Sequence, residues 1–122
     1  MQPLTILMVE DEPVIAFDLR LELKQLGHQV LTATDAGEAI RLSARHQPDV
    51  AILNFLLKNT IEGMALARLL RTRYLIGVLF ITGARCCDLE TSGHFYPGVE
   101  VLYKPFTRAQ LKDFLLKLRV EV

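Results

Sequence analysis

The chain has 122 residues, 51% of them hydrophobic and 23% charged, which is enough apolar mass for one core without disulfides or metals, so a single domain over residues 1–122 is expected. Lys and Arg total 14 against 14 Asp and Glu, a balance that argues against a nucleic-acid footprint or a polybasic membrane surface. Near-zero net charge also leaves little self-repulsion, so a homodimer is not disfavoured.

The N-terminus lacks the basic region and apolar stretch of a signal peptide, and no apolar run reaches bilayer-spanning length. A soluble, cytoplasmic protein is the expectation. Leu4 to Val9 is a compact apolar run that stops at Glu10-Asp11-Glu12, and it reads as a buried strand. From Pro13 to Leu26 the pattern becomes helical, with Ile15, Leu19, Leu23 and Leu26 at helical spacing. Pro13 suits a first helical turn, and Gly27 supplies a left-handed stop. Gln29 to Ala33 reads as a second strand.

Asp35 and Glu38 form an Asp-x-x-Glu capping pair ahead of a helix to about His46. Gln47-Pro48-Asp49 is a turn, and Val50 to Leu53 a third strand. Asn54 to Thr60 reads as a loop, followed by a helix marked by Ile61, Ala65 and Leu69 that runs to about Tyr74. Val78 to Thr82 is a fourth strand. Gly83 to Gly98 is irregular, with Gly93, Pro97 and Gly98 leaving room only for a short helix. Cys86 and Cys87 fall there, and adjacent cysteines read as two reduced thiols, since a bridge between them would strain the peptide. Val99 to Tyr103 is a fifth strand. Thr107-x-x-Gln110 is a capping box, and Leu111, Phe114, Leu115 and Leu118 stripe a final helix. His28, His46 and His94 show no ligand spacing and are expected at the surface.

Strands alternating with helices require right-handed crossovers and a parallel sheet covered on both faces. The expected fold is therefore α/β, a (βα)5 doubly wound arrangement with a five-stranded parallel sheet. In such a sheet a ligand site lies beyond the carboxyl ends of the strands. Those ends carry Glu10 and Asp11, Asn54, Thr82, and Lys104 followed by Pro105. Asp49 precedes its strand and belongs at the opposite end.

Four segments together resemble response regulator receiver domains of two-component signalling, which have the flavodoxin-like form of this fold. They are Ile6-Leu7-Met8-Val9-Glu10-Asp11-Glu12-Pro13, Pro48-Asp49-Val50-Ala51-Ile52-Leu53, Phe80-Ile81-Thr82-Gly83-Ala84, and Leu102-Tyr103-Lys104-Pro105-Phe106-Thr107. The similarity runs from about Leu4 to Leu118. It implies that Glu10 and Asp11 match an acidic pair that holds Mg²⁺, with the backbone carbonyl of Leu56 as a further ligand. It implies that Thr82 contacts a phosphoryl group, that Lys104 pairs with phosphate oxygens, and that the Lys104–Pro105 bond is a candidate for the cis form. A histidine kinase, or an output protein or domain, is the partner it implies.

Three positions depart from that pattern. Asn54 stands where the resemblance places the phospho-accepting aspartate. An amide oxygen is neutral and delocalised, a hydrogen-bond acceptor without the charge that attack on phosphorus requires. With one carboxylate fewer, metal binding is expected to be weak, and Lys104 is expected to lean toward Asp11 or Glu10. The position three before the lysine, aromatic in the family, is Val101, and Tyr103 shares its strand face. The loop after Asn54 carries Phe55, Leu56 and Leu57, expected to pack under it.

The expected function is an atypical receiver that acts as a phosphorylation-independent interaction module. The alternatives are a working receiver into which Asn54 was introduced, and an enzyme on a flavodoxin-like fold. The enzyme reading is disfavoured, because no Gly-x-Gly-x-x-Gly or P-loop pattern follows any strand. No recognition helix for nucleic acid is expected within these residues.

Overall fold

The structure is a computed structural model that describes residues 3–54, 60–82 and 98–121. Five strands alternate with helices in the order β1 (Thr5–Val9), α1 (Pro13–Gln25), β2 (Gln29–Ala33), α2 (Ala36–His46), β3 (Val50–Asn54), α3 (Thr60–Tyr74), β4 (Gly77–Thr82), β5 (Val99–Tyr103) and α4 (Arg108–Glu121). The sheet is parallel throughout, in the order β2-β1-β3-β4-β5. Chain order reverses direction beside β1, so β1 and the central strand β3 open a crevice at their carboxyl ends.

The strands are nearly all apolar because both faces of the sheet are covered. Alternation sends Ile6, Met8, Ile52, Leu79 and Ile81 to one side, where Leu19 and Leu23 of α1 and Leu111, Leu115 and Leu118 of α4 meet them. Leu7, Val9, Leu53, Val78 and Phe80 face the other way, against Ala39 of α2 and Leu66 and Leu70 of α3. Every residue of β4 is buried, as a strand inside such a sandwich must be.

The local signals in the sequence act largely as expected. Pro13 stands in the first turn of α1, and Gly27 takes a left-handed φ of 96° just beyond its end. Both oxygens of the Thr107 box work: Thr107 Oγ1 accepts from the Gln110 amide at 3.1 Å, and Gln110 Oε1 accepts from the Thr107 amide at 2.8 Å. The first box is skewed. Asp35 Oδ1 accepts from the Glu38 amide at 2.8 Å, but Glu38 Oε1 reaches one residue further back, to the Thr34 amide at 2.8 Å. Asn54 closes β3 instead of opening a loop, and Thr60 opens α3. Phe55, Leu56 and Leu57 lie outside the described residues, as do His94, Cys86, Cys87 and most of the Gly83 to Gly98 segment with its expected short helix.

One expectation is overturned. His28 is not at the surface; it is 5% exposed. The Gly27 turn directs it back beneath the start of β1, where its Nδ1 accepts from the Leu4 amide at 3.0 Å. The ring therefore caps the backbone donor just ahead of β1, which offsets part of the cost of its burial. His46 is exposed as expected.

Candidate functional site

The pairing register fixes which strand ends stand together. Val9 is level with Leu53, so Glu10 follows at the height of Asn54. Asn54 is level with Ile81, one residue before Thr82. Thr82 is level with Tyr103, and the Lys104 amide donates to the Thr82 carbonyl at 2.9 Å. Adjacent strands lie about 4.8 Å apart, so the backbones of Glu10, Asn54, Thr82 and Lys104 form a row across four neighbouring strands. Asp49 is at the far end of β3, where its Oδ2 accepts from the Thr5 amide at 2.8 Å.

Within this row Glu10 and Thr82 are buried, at 5% and 6% exposure, while Asp11 and Lys104 are exposed. Glu10 Oε1 accepts from the Glu12 amide at 2.9 Å, tying the acidic cluster to the start of α1. Burial pushes the Glu10 carboxyl above its usual range, and the charge of Asp11 adds to the rise; the Glu12 amide and the positive charge of Lys104 pull it down. Asp11 and Lys104 thus both act on the Glu10 carboxyl.

The crevice fits a hard divalent cation only in part. Glu10 and Asp11 supply oxygen ligands, but one Glu10 oxygen already accepts from the Glu12 amide. Among the described residues no group of three or more His, Cys, Asp or Glu gathers. Leu56, the expected carbonyl ligand, lies outside them. Such a pocket could hold Mg²⁺ through two carboxylates with water completing the shell.

Beyond the row, the Lys104–Pro105 peptide is cis. Val101 is half-buried against the cluster on the α2 and α3 side, and Tyr103 is half-buried two residues on. Two features gave no sequence signal. Arg108, at the start of α4, donates to Gln25 Oε1 at 2.6 Å and stands 3.7 Å from Glu22, so it straps α4 to the end of α1 across 83 residues of sequence. Val14, Phe17 and Leu21 lie on the outer face of α1, 72%, 63% and 47% exposed. A helix so apolar on both sides does not reveal from its spacing alone which stripe faces the core.

The response regulator receiver domain family matches residues 6–116. Among curated proteins, the chain is 32% identical over 118 residues to the transcriptional regulatory protein KdpE of Mycobacterium tuberculosis, covering 96% of this chain and 50% of that one. It is 31% identical over 119 residues to a probable transcriptional regulatory protein, TcrX, of the same organism, covering 97% and 49%. It thus spans about half the length of these relatives. Among solved structures, the signal receiver domain of a modulated diguanylate cyclase from Desulfovibrio desulfuricans G20 superposes with a TM-score of 0.84 at 24% identity, covering 98% and 97% of the two chains. A response regulator receiver domain protein from Clostridium thermocellum gives 0.76 at 25%, covering 95% and 94%. No helix among the described residues is long and apolar enough to cross a membrane. The fold is the flavodoxin-like receiver fold, the matched residues include every described strand end at the crevice, and the chain belongs to the response regulator receiver domain family.

Proposed function

We propose that this receiver domain works without aspartyl phosphorylation, as a module that docks a partner through a fixed surface. The observation that carries this reading is Asn54 at the carboxyl end of the central strand β3, level with Glu10 and one strand from Thr82. That is the rim position at which a receiver needs a nucleophilic carboxylate, and an amide cannot supply one. In this reading Thr82 and Lys104 keep the geometry of a phosphoryl pocket without the group that would fill it. Glu10 and Asp11, with the Leu56 carbonyl, would hold Mg²⁺ weakly; the ion would supply charge neutralisation at the crevice. Val101, at the switch position, offers no ring to follow a movement of Thr82. The conformation is then set by sequence and binding.

The partner is a histidine kinase or an output protein or domain. KdpE is a transcriptional regulatory protein and TcrX a probable one, each about twice as long, so a transcriptional output joined to or recruited by this module is the corresponding proposal. The test is incubation with acetyl phosphate and Mg²⁺, read by intact mass, for the protein and for Asn54→Asp. The expected result is a labile phosphoryl adduct on the variant alone. An adduct on the unaltered protein overturns the proposal.

A further inference from the structure

We propose that the foot of the sheet, opposite the strand-end row, docks the head of a second copy of this chain, so that copies associate head to tail. The site is a pair of turns. Gln47 after α2 and Leu75 after α3 both take a left-handed φ, 49° and 57°, which side chains disfavour. Leucine is a poor choice there on two counts: the conformation suits glycine or asparagine, and the side chain stands 67% exposed. The Ile76 amide donates back to the Leu70 carbonyl at 3.1 Å. That turn sinks Ile76 into the core at 1% exposure and leaves Leu75 outward. The Gly77 amide donates to the Asp49 carbonyl at 3.4 Å and holds the two turns side by side.

Charge names the occupant. Residues 45–49 and 71–77 carry Arg45, Arg71 and Arg73, and their single acid is Asp49, whose Oδ2 accepts from the Thr5 amide. Arg71 donates to the Ile76 carbonyl at 3.4 Å, within the turn itself. Arg45 and Arg73 are exposed and form no ion pair among the described residues. Glu100, at the start of β5, is held by Lys117 at 3.3 Å. Basic last turns also suit the negative ends of helix dipoles, but that does not account for the outward leucine. The head is the converse. Asp11 and Glu12 are exposed before α1, Asp35 and Glu38 open α2, and Lys104 is the base of the row; Arg108 is drawn to Glu22. Val14, in the first turn of α1 beside these acids, is 72% exposed. A leucine among arginines thus meets a valine among carboxylates. Foot and head are different surfaces, so the contact is heterologous and does not close on itself as a two-fold dimer does. It is independent of whether residue 54 accepts a phosphoryl group.

The test is sedimentation equilibrium of the whole chain between about 0.1 and 1 mM, the range that populates a contact of a few exposed ion pairs and one apolar side chain. Reductant keeps Cys86 and Cys87 from cross-linking copies. At about 25 mM NaCl the weight-average mass is expected to climb steadily with concentration, without levelling at the dimer, and at about 300 mM to fall back toward the monomer. Arg45→Glu with Arg73→Glu makes both ends acidic, and Asp11→Lys with Glu12→Lys makes both ends basic. Each of these variants alone should stay monomeric, and an equimolar mixture of the two should associate. Two milder variants leave the charge pattern largely in place. Arg73→Gln should weaken association about threefold, within the range for one exposed ion pair. Leu75→Asn suits the left-handed turn, so it should raise the urea midpoint while weakening association about tenfold, the share of one leucine taken from water. No rise in mass with concentration, a plateau at the dimer, a mixture of the reversed variants that stays monomeric, or unchanged association in Leu75→Asn overturns the proposal.

Discussion

An imidazole nitrogen accepts a hydrogen bond only while it carries no proton. His28 Nδ1 accepts from the Leu4 amide at 3.0 Å, so the native ring is neutral, with its proton on Nε2. Nε2 is buried and has no hydrogen-bond partner among the described residues. Burial accordingly holds the His28 pKa below its ordinary value of 6.5. The unfolded chain then binds the proton more readily than the folded one, so stability is full above about pH 6.5 and is lost as pH falls toward the folded pKa. Urea denaturation between pH 7 and 5 should show the midpoint falling with pH, and His28→Asn, whose amide oxygen can take over the acceptor role, should show a flatter profile. Parallel profiles would remove His28 from the acid response. Glu10, pushed upward, works in the opposite sense, which is why the difference between protein and variant is the diagnostic quantity. Nothing in the sequence around His28 announced this. Its burial follows from the Gly27 turn, and a lone histidine leaves no periodic signature. The place of Asn54 at the end of β3 was legible because the apolar run before it reads as a strand.

Elements were legible where a run and a stop coincide. The apolar strand Leu4 to Val9 ends at three acids, and α1 ends at a glycine, so their bounds agree to within a residue. The capping boxes were legible because their spacing is local, and the Glu38 contact slipped by one residue because a long side chain can reach either of two adjacent amides. Contacts between elements left no such trace: Arg108 and Gln25 are 83 positions apart, and only the packing of α4 beside α1 brings them together. The Thr107 box is suited to measurement because it is exposed and both of its bonds are made. Thr107→Ala should destabilise the fold by about 1 kcal/mol, the usual value of a lost N-cap, read as a lower urea midpoint with an unchanged slope. A loss below about 0.3 kcal/mol would mean that the turn before α4, not the cap, sets where the helix begins.

At the scale of the whole molecule, alternation of strands and helices was enough to give the parallel sheet, and the sheet in turn gave the row of strand ends. Its electrostatic state was not legible, because it depends on how deeply each carboxyl sits. Glu10 is buried with its pKa raised, Asp11 is exposed, and the charge of Lys104 reaches Glu10. Asn54→Asp would add a third carboxylate to that row on the neighbouring strand. Without metal, like charges would repel across the crevice and lower stability; with metal, the same three oxygen donors would make a better Mg²⁺ site. The variant should therefore be less stable than the protein in EDTA and should gain more from Mg²⁺. If its Kd falls to about 1 mM, then 10 mM Mg²⁺ contributes about 1.4 kcal/mol, since the gain is RT ln(1 + [L]/Kd). The unaltered protein should gain only a few tenths of that. Thermal unfolding at matched ionic strength, with Ca²⁺ and Na⁺ as controls, separates this from general screening. Equal Mg²⁺ responses in the two proteins would place residue 54 outside the metal's reach and detach it from Glu10 and Asp11. In that case the missing charge at position 54 could no longer account for a weak metal site.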